Sequence, residues 1–367
     1  MPAFEPEVGG MNPHLRGAAI VVAALSLTVG LGACATTRDS GANTSGEGGM
    51  KIGLLLPENQ TARYEQFDRP LAEKKIKELC GGCAVEYANA RGDVATQIRQ
   101  MDSMINNGVD VVILGAVDIR SLRSAVGEAR DADVPVVAYD RPVEGPVSAY
   151  VSYESRTIGK VQGEALLKAL GGKANGGQIV RVEGPAMTPD AIFVLKGKVK
   201  IKTYQAPAWD AGEANALMSR AVAELGADNI DGVWAANDAM ATGAISALRA
   251  AHIKPLPPVA GQDAELSAVQ RIVSGAQYST VYKPYKPEAD AAAELAVALG
   301  RGESIDGLAK DRMNTATTRN IPAVLLQASS VTADNVGSTV VKDGMHTIDQ
   351  ICTPKYRPAC EAAGLTP

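Results

Sequence analysis

Short runs of Val, Ile and Leu alternate with amphipathic stretches along most of the chain, and the pattern occurs twice. This restricts the fold to parallel sheets covered by helices on both faces. Strands are expected at 51–56, 85–88, 111–114 and 134–139, with helices at 62–79, 94–107 and 119–132 between them. The second series places helices at 156–170, 186–198, 212–225, 239–250 and 266–274, and strands at 178–183, 201–205, 232–235, 259–261 and 278–282. Gly108 is expected to end one helix, and Pro284 to fix the first turn of another over 285–299, closed by Gly300. Met101, Met104 and Ile105 form a helical stripe and read as core. Trp234, inside a strand, reads as packed beneath a helix rather than as a pocket wall.

The segment before the first strand has a different character. Arg16 supplies a positive flank and residues 17–30 an apolar core too short for a comfortable membrane span. Leu31-Gly32-Ala33-Cys34 then closes a signal peptide with a cysteine where bacterial lipoproteins are cut and acylated, so residues 1–33 are expected to be removed and Cys34 lipidated. Met11 is a second candidate for the start. Residues 34–49 are mostly Thr, Ser, Gly, Ala and Asn, a composition that cannot bury enough apolar surface to order itself and reads as a flexible tether. The expected location is the outer face of a bacterial cell membrane. From Met50 onward the chain is long enough for two lobes of ordinary domain size.

A net charge of −5 with no basic block argues against nucleic acid as a partner. Three histidines without cysteines at ligand spacing argue against a metal site, and no cofactor is expected. With Cys34 assigned to lipid, the other cysteines fall into two close pairs, Cys80 with Cys83 and Cys352 with Cys360, and in an exported protein local disulfides are expected. The Cys-x-x-Cys pair follows a helix instead of opening one, where a helix dipole would lower a thiol pKa, so a redox role is disfavoured.

Parallel sheets bind ligands at the carboxyl ends of their strands. There this chain carries Glu58, Arg63, Tyr64, Val117, Asp118, Asp140 and Arg141 in the first series. In the second it carries Asp190, Trp209, Asn237, Asp238, Gln262, Asp263 and Lys283. Carboxylates that accept, amide and guanidinium groups that donate, and a few flat rings suit a polyhydroxyl ligand.

Ala138-Tyr139-Asp140-Arg141, Ala235-Ala236-Asn237-Asp238-Ala239, Gly261-Gln262-Asp263-Ala264 and Thr280-Val281-Tyr282-Lys283-Pro284 together resemble the periplasmic sugar-binding proteins of ABC transporters, most closely those for D-xylose. The likeness runs from Met50 to His346 and includes Val340-Val341-Lys342-Asp343-Gly344. It implies an α/β fold of two doubly wound parallel-sheet lobes joined by three crossovers, the type I periplasmic-binding-protein fold. The crossovers are expected near 151–153, 284–285 and 322–327, giving a first lobe of 50–151 plus 285–322 and a second of 152–284 plus 323–367. The implied ligand is one aldose, D-xylose first, and the implied partner a membrane permease. By the same resemblance Arg63, Asp140 and Arg141 hold hydroxyls from the first lobe, with Tyr64 where the xylose binders stack a Trp. Trp209 stacks from the second lobe, Asn237, Asp263 and Lys283 complete the hydrogen bonds, and Asp190 stands where the family has an Asn. Two departures bear on ligand identity: Leu195 replaces a family Arg, and Pro57-Glu58 replaces an acidic pair.

Enzymatic readings find less support. There is no Gly-x-Ser-x-Gly elbow, and Leu56-Pro57-Glu58-Asn59 follows the first strand where a phosphate-binding glycine loop would be. Asp140 and Asp263 facing one cleft would suit a glycosidase, but only 4% of residues are aromatic, few for sugar platforms. A repressor of this fold would begin with a DNA-binding domain. A receptor that reports a sugar or autoinducer-type signal to a sensor kinase is the alternative to transport.

Overall fold

A computed structural model describes residues 49–185 and 193–366. Cys34 and Asp190 lie outside them. The first sheet is built from β1 (Lys51–Leu56), β2 (Ala84–Asn89), β3 (Val111–Leu114), β4 (Val136–Tyr139) and β5 (Ala149–Tyr153), with β11 (Asp311–Met313) and β12 (Ile321–Leu326) added late in the chain. Its order is β11-β12-β5-β4-β3-β1-β2, and every pairing except β11 with β12 is parallel. The second sheet comprises β6 (Gln178–Glu183), β7 (Lys200–Gln205), β8 (Gly232–Ala235), β9 (Val259–Gln262), β10 (Ser279–Tyr282) and β13 (Ser329–Val331), ordered β13-β10-β9-β8-β6-β7. Setting the late strands aside, both sheets wind in one order, with β1–β5 corresponding to β6–β10. Each switches direction beside its first strand, where a doubly wound sheet opens a crevice.

The central strands are apolar runs buried on both faces, as parallel sheets demand: Val-Val-Ile-Leu in β3 and Gly-Val-Trp-Ala in β8 are wholly buried. Helices α1 (Arg69–Leu79), α2 (Val94–Asn106) and α3 (Arg123–Asp131) serve the first lobe. Helices α4 (Ser155–Leu170), α5 (Ala211–Leu225), α6 (Asp238–Ala250) and α7 (Leu266–Val273) serve the second. Asp93, Glu154, Asp210 and Asn237 cap α2, α4, α5 and α6, accepting the free backbone N–H groups of their first turns. Met101 and Met104 are buried in the first lobe's core. The sulfurs of Cys80 and Cys83, and of Cys352 and Cys360, are joined. Among the described residues no helix is long and apolar enough to cross a membrane, and no cluster of His, Cys, Asp and Glu could hold a metal ion.

The chain crosses between lobes three times: after β5 into α4, after β10 into α8 (Tyr285–Gly300), and after β12 into β13. Helix α8 returns to the first sheet, burying Ala289, Ala292, Ala293, Leu295 and Ala296 in that core. Several expectations need correction. The boundary placed at 322/323 falls inside β12, which stays in the first sheet to Leu326. The helix expected over 119–132 starts only at Arg123, because the Asp118 side chain accepts the backbone N–H groups of Arg120 and Ser121 and holds a turn there. Residues 193–198 form turns, not the end of a helix. Pro284 occupies the N-cap position, one residue before the first turn of α8, and makes no side-chain cap bond. The short edge strands β11 and β13 carry too little apolar pattern to have been read.

Candidate functional site

The carboxyl ends of both sheets face one cavity of about 150 Å3. Arg63, Tyr64, Asp140 and Arg141 enter it from the first lobe, Trp209, Asn237 and Asp263 from the second, and Lys283 from the second crossing. Eight of the nine expected ligand-binding residues therefore line one cavity, and the ninth, Asp190, lies outside the described residues.

Arg63 is the hub of the first lobe. It sits at the start of the π-type turn Tyr64–Asp68 that leads into α1, and is 2% exposed. Its Nε donates to Asp68 (2.7 Å), its Nη1 to Asp140 (2.6 Å), and its Nη2 to Glu288 (2.6 Å) and Asp68 (3.2 Å). Four of the five guanidinium N–H donors are thus committed to protein carboxylates, so Arg63 organises the wall more than it offers donors to a ligand. Asp140 also accepts from the Tyr64 hydroxyl (2.6 Å). Burial opposes its ionisation, but the Arg63, Lys283 and Arg141 cations outweigh that and hold its carboxyl well below the usual range. Burial, reinforced by Asp140 and Asp68 and opposed by Arg63, pushes Glu288 up to about 8.

Arg141 donates to Glu58 (3.0 Å), and its guanidinium lies 5.4 Å from the Tyr64 ring centroid and 5.5 Å from that of Trp209. Arg141 thereby lies within cation–π range of an aromatic ring of each lobe. Across the cavity, Lys283 Nζ lies 2.8 Å from Asp263 and 3.8 Å from Asp140. Asn237 spends its Oδ1 capping α6 through Met240 N–H, which leaves its NH2 group as a donor for the cavity.

Asp140 and Asp263 follow corresponding strands, β4 and β9, and both have left-handed backbone conformations, φ 58° and 98°. Asp is one of the few residues with a side chain to visit that region readily. Each lobe thus turns one carboxylate into the cleft by the same device.

Asp238 stays behind the wall, its carboxylate taken by Gln277, Thr280 and the backbone of Glu265. Leu195 is buried in the second core and does not reach the cavity. Trp234 is buried as expected, yet it also lines the cavity, so core and pocket wall are both true of it. Asp68 and Glu288 were missed as members of this network. The available signal was a lone carboxylate on an otherwise uncharged helix face, Glu288 beside Ala289, Ala292 and Ala293.

The model of the periplasmic binding protein domain matches residues 52–304. The chain is 34% identical over 314 residues to the D-xylose-binding periplasmic protein of Haemophilus influenzae, covering 82% of this chain and 92% of that one. It is 33% identical to the Escherichia coli protein of the same name, covering 81% and 91%. Among solved structures, an ABC transporter solute-binding protein of Clostridium phytofermentans with bound β-D-glucose superimposes with a TM-score of 0.74 at 24% identity, over 82% of this chain and 99% of the other. With the two-lobed doubly wound fold and the shared cleft, these matches establish that the chain belongs to the periplasmic binding protein family.

Proposed function

We propose that the protein is an extracytoplasmic solute-binding protein that captures one neutral monosaccharide between its lobes, D-xylose first, and delivers it to an ABC permease. The observation that carries this reading is the charge pairing of the cleft. Arg63, Arg141 and Lys283 are each already matched by carboxylates, so an anionic ligand would find no free cation among them, while neutral hydroxyls find oriented acceptors and donors on both sides. Closure exchanges the hydration of the hydroxyls for these fixed groups, each charge-assisted bond contributing roughly 1.5–3 kcal/mol. The closed state is favoured by the difference in ligand affinity between the two states. The names of the two xylose-binding relatives support the choice of pentose. Binding without chemistry is in keeping with those relatives, and no cofactor is assigned. Lipid on Cys34, followed by the 34–49 tether, would hold the protein at the membrane's outer face.

Isothermal titration with D-xylose, L-arabinose, D-glucose, D-galactose and D-ribose tests the reading. D-xylose should bind tightest. Affinities weaker than millimolar for all five would overturn the sugar assignment.

A further inference from the structure

Gly184 follows β6 immediately and precedes Pro185. A Cβ placed on it would come within 2.5 Å of Cε3 and Cζ3 and 2.8 Å of Cδ2 of Trp209, separations that real Cβ atoms essentially never show. The atoms in the way belong to the rigid indole and not to a flexible chain end, so the ring would have to move by about 1 Å to restore ordinary contact. The φ of Gly184 lies outside the left-handed region, so alanine meets no positive-φ strain there and the obstacle is the tryptophan.

Trp209 stands at the end of a chain of neighbouring groups. Its ring lies on Gly184 in the second lobe and over the Arg141 guanidinium of the first, and Arg141 in turn lies over Tyr64 and donates to Glu58. We propose that Gly184 is a positioning residue for ligand binding: the absence of a side chain there sets the plane of Trp209, and through it the seat of Arg141, although Gly184 does not itself line the cavity. This rests on the reading of the cleft as a sugar site, but its structural half can be tested without any ligand.

The chain contains only two tryptophans, so the full-length protein labelled with 5-fluorotryptophan should give two 19F resonances, that of Trp209 assigned by its loss in Trp209→Phe. In ligand-free protein, Gly184→Ala should shift the Trp209 resonance and leave that of Trp234 in place; an unmoved Trp209 resonance overturns the proposal. In D-xylose titrations Gly184→Ala should raise Kd about tenfold, the size of one lost aromatic contact. Combined with Trp209→Leu it should add nothing to the loss from Trp209→Leu alone, because the two changes act through one ring. Additive losses overturn the proposal. If Gly184→Ala fails to fold, recovery in the Trp209→Leu background supports the contact, and failure in both overturns it. Absence of binding in the unaltered protein would count against the sugar reading, while the 19F comparison would still decide the role of Gly184.

Discussion

Replacing Asp263 separates two consequences of one side chain, because it is both a candidate ligand acceptor and the nearest partner of Lys283, at 2.8 Å. Asp263→Ala is the harsher change. It leaves Lys283, 5% exposed, with only the Asp140 carboxylate at 3.8 Å, and puts alanine at φ 98°, where a Cβ without a hydrogen-bonding group costs roughly 1–2 kcal/mol. That variant should lose stability as well as binding. Asp263→Asn keeps the shape, tolerates the backbone conformation and can still accept from Lys283, so its folding stability should change much less. What it loses is the charge on the acceptor. A charged hydrogen bond is worth roughly 1.5–3 kcal/mol and a neutral one about 0.5–1.5, a difference of about 1–2 kcal/mol, or roughly 5–30-fold in Kd. Calorimetric titration with D-xylose measures the affinity, and urea unfolding of the same preparations measures stability. An Asp263→Asn protein that binds as tightly as the parent would refute the placing of this carboxylate on the ligand. An Asp263→Ala protein as stable as the parent would refute the argument from Lys283 and the backbone.

Arg63→Met leaves Asp68, Asp140 and Glu288 without their shared cation and should cost roughly 3–5 kcal/mol of stability; a loss below about 1 kcal/mol in urea unfolding would show that the carboxylates do not depend on it. Burial, aided by Asp238 and Asp263, pushes Glu265 from an ordinary value of 4.5 up to about 8. The folded state therefore holds a proton that the unfolded chain releases, and stability should fall as pH rises from about 4.5 through about 8, by up to about 1.4 kcal/mol per pH unit for this group. Glu265→Gln should flatten that slope in unfolding measured from pH 5 to 8, and an unchanged slope would count against a buried neutral Glu265. Cys34→Ser should abolish incorporation of radiolabelled fatty acid while leaving D-xylose affinity intact, since a segment of the composition of residues 34–49 is expected to transmit no packing constraint; persistent N-terminal label would refute the anchor.

What could be read from the sequence, and what could not, divides along the range of the interactions. The doubled βα pattern is local: buried parallel strands must be apolar on both faces, and that composition is visible within four to six residues, as in β3 and β1. The topology then requires the ligand at the strand ends, which is why Asp140 and Asp263, equivalent in the two lobes, could be singled out without coordinates. The Arg63 network is of another kind. Arg63 and Glu288 are 225 positions apart, and only the return of α8 to the first lobe brings them to 2.6 Å. No local pattern marks that pairing, so Arg63 reads in the sequence as a donor free for a ligand, whereas in the fold four of its N–H groups already hold carboxylates. The same long-range constraint explains the acids of the cleft, Glu58, Asp140 and Asp263. Each carboxylate on the wall is tolerable because a cation reaches it from another element, and each cation is consumed in doing so. The absence of an unpaired cation among Arg63, Arg141 and Lys283 is therefore a property of the whole ion-pair set, and that set exists only once the chain has crossed between the lobes to assemble it.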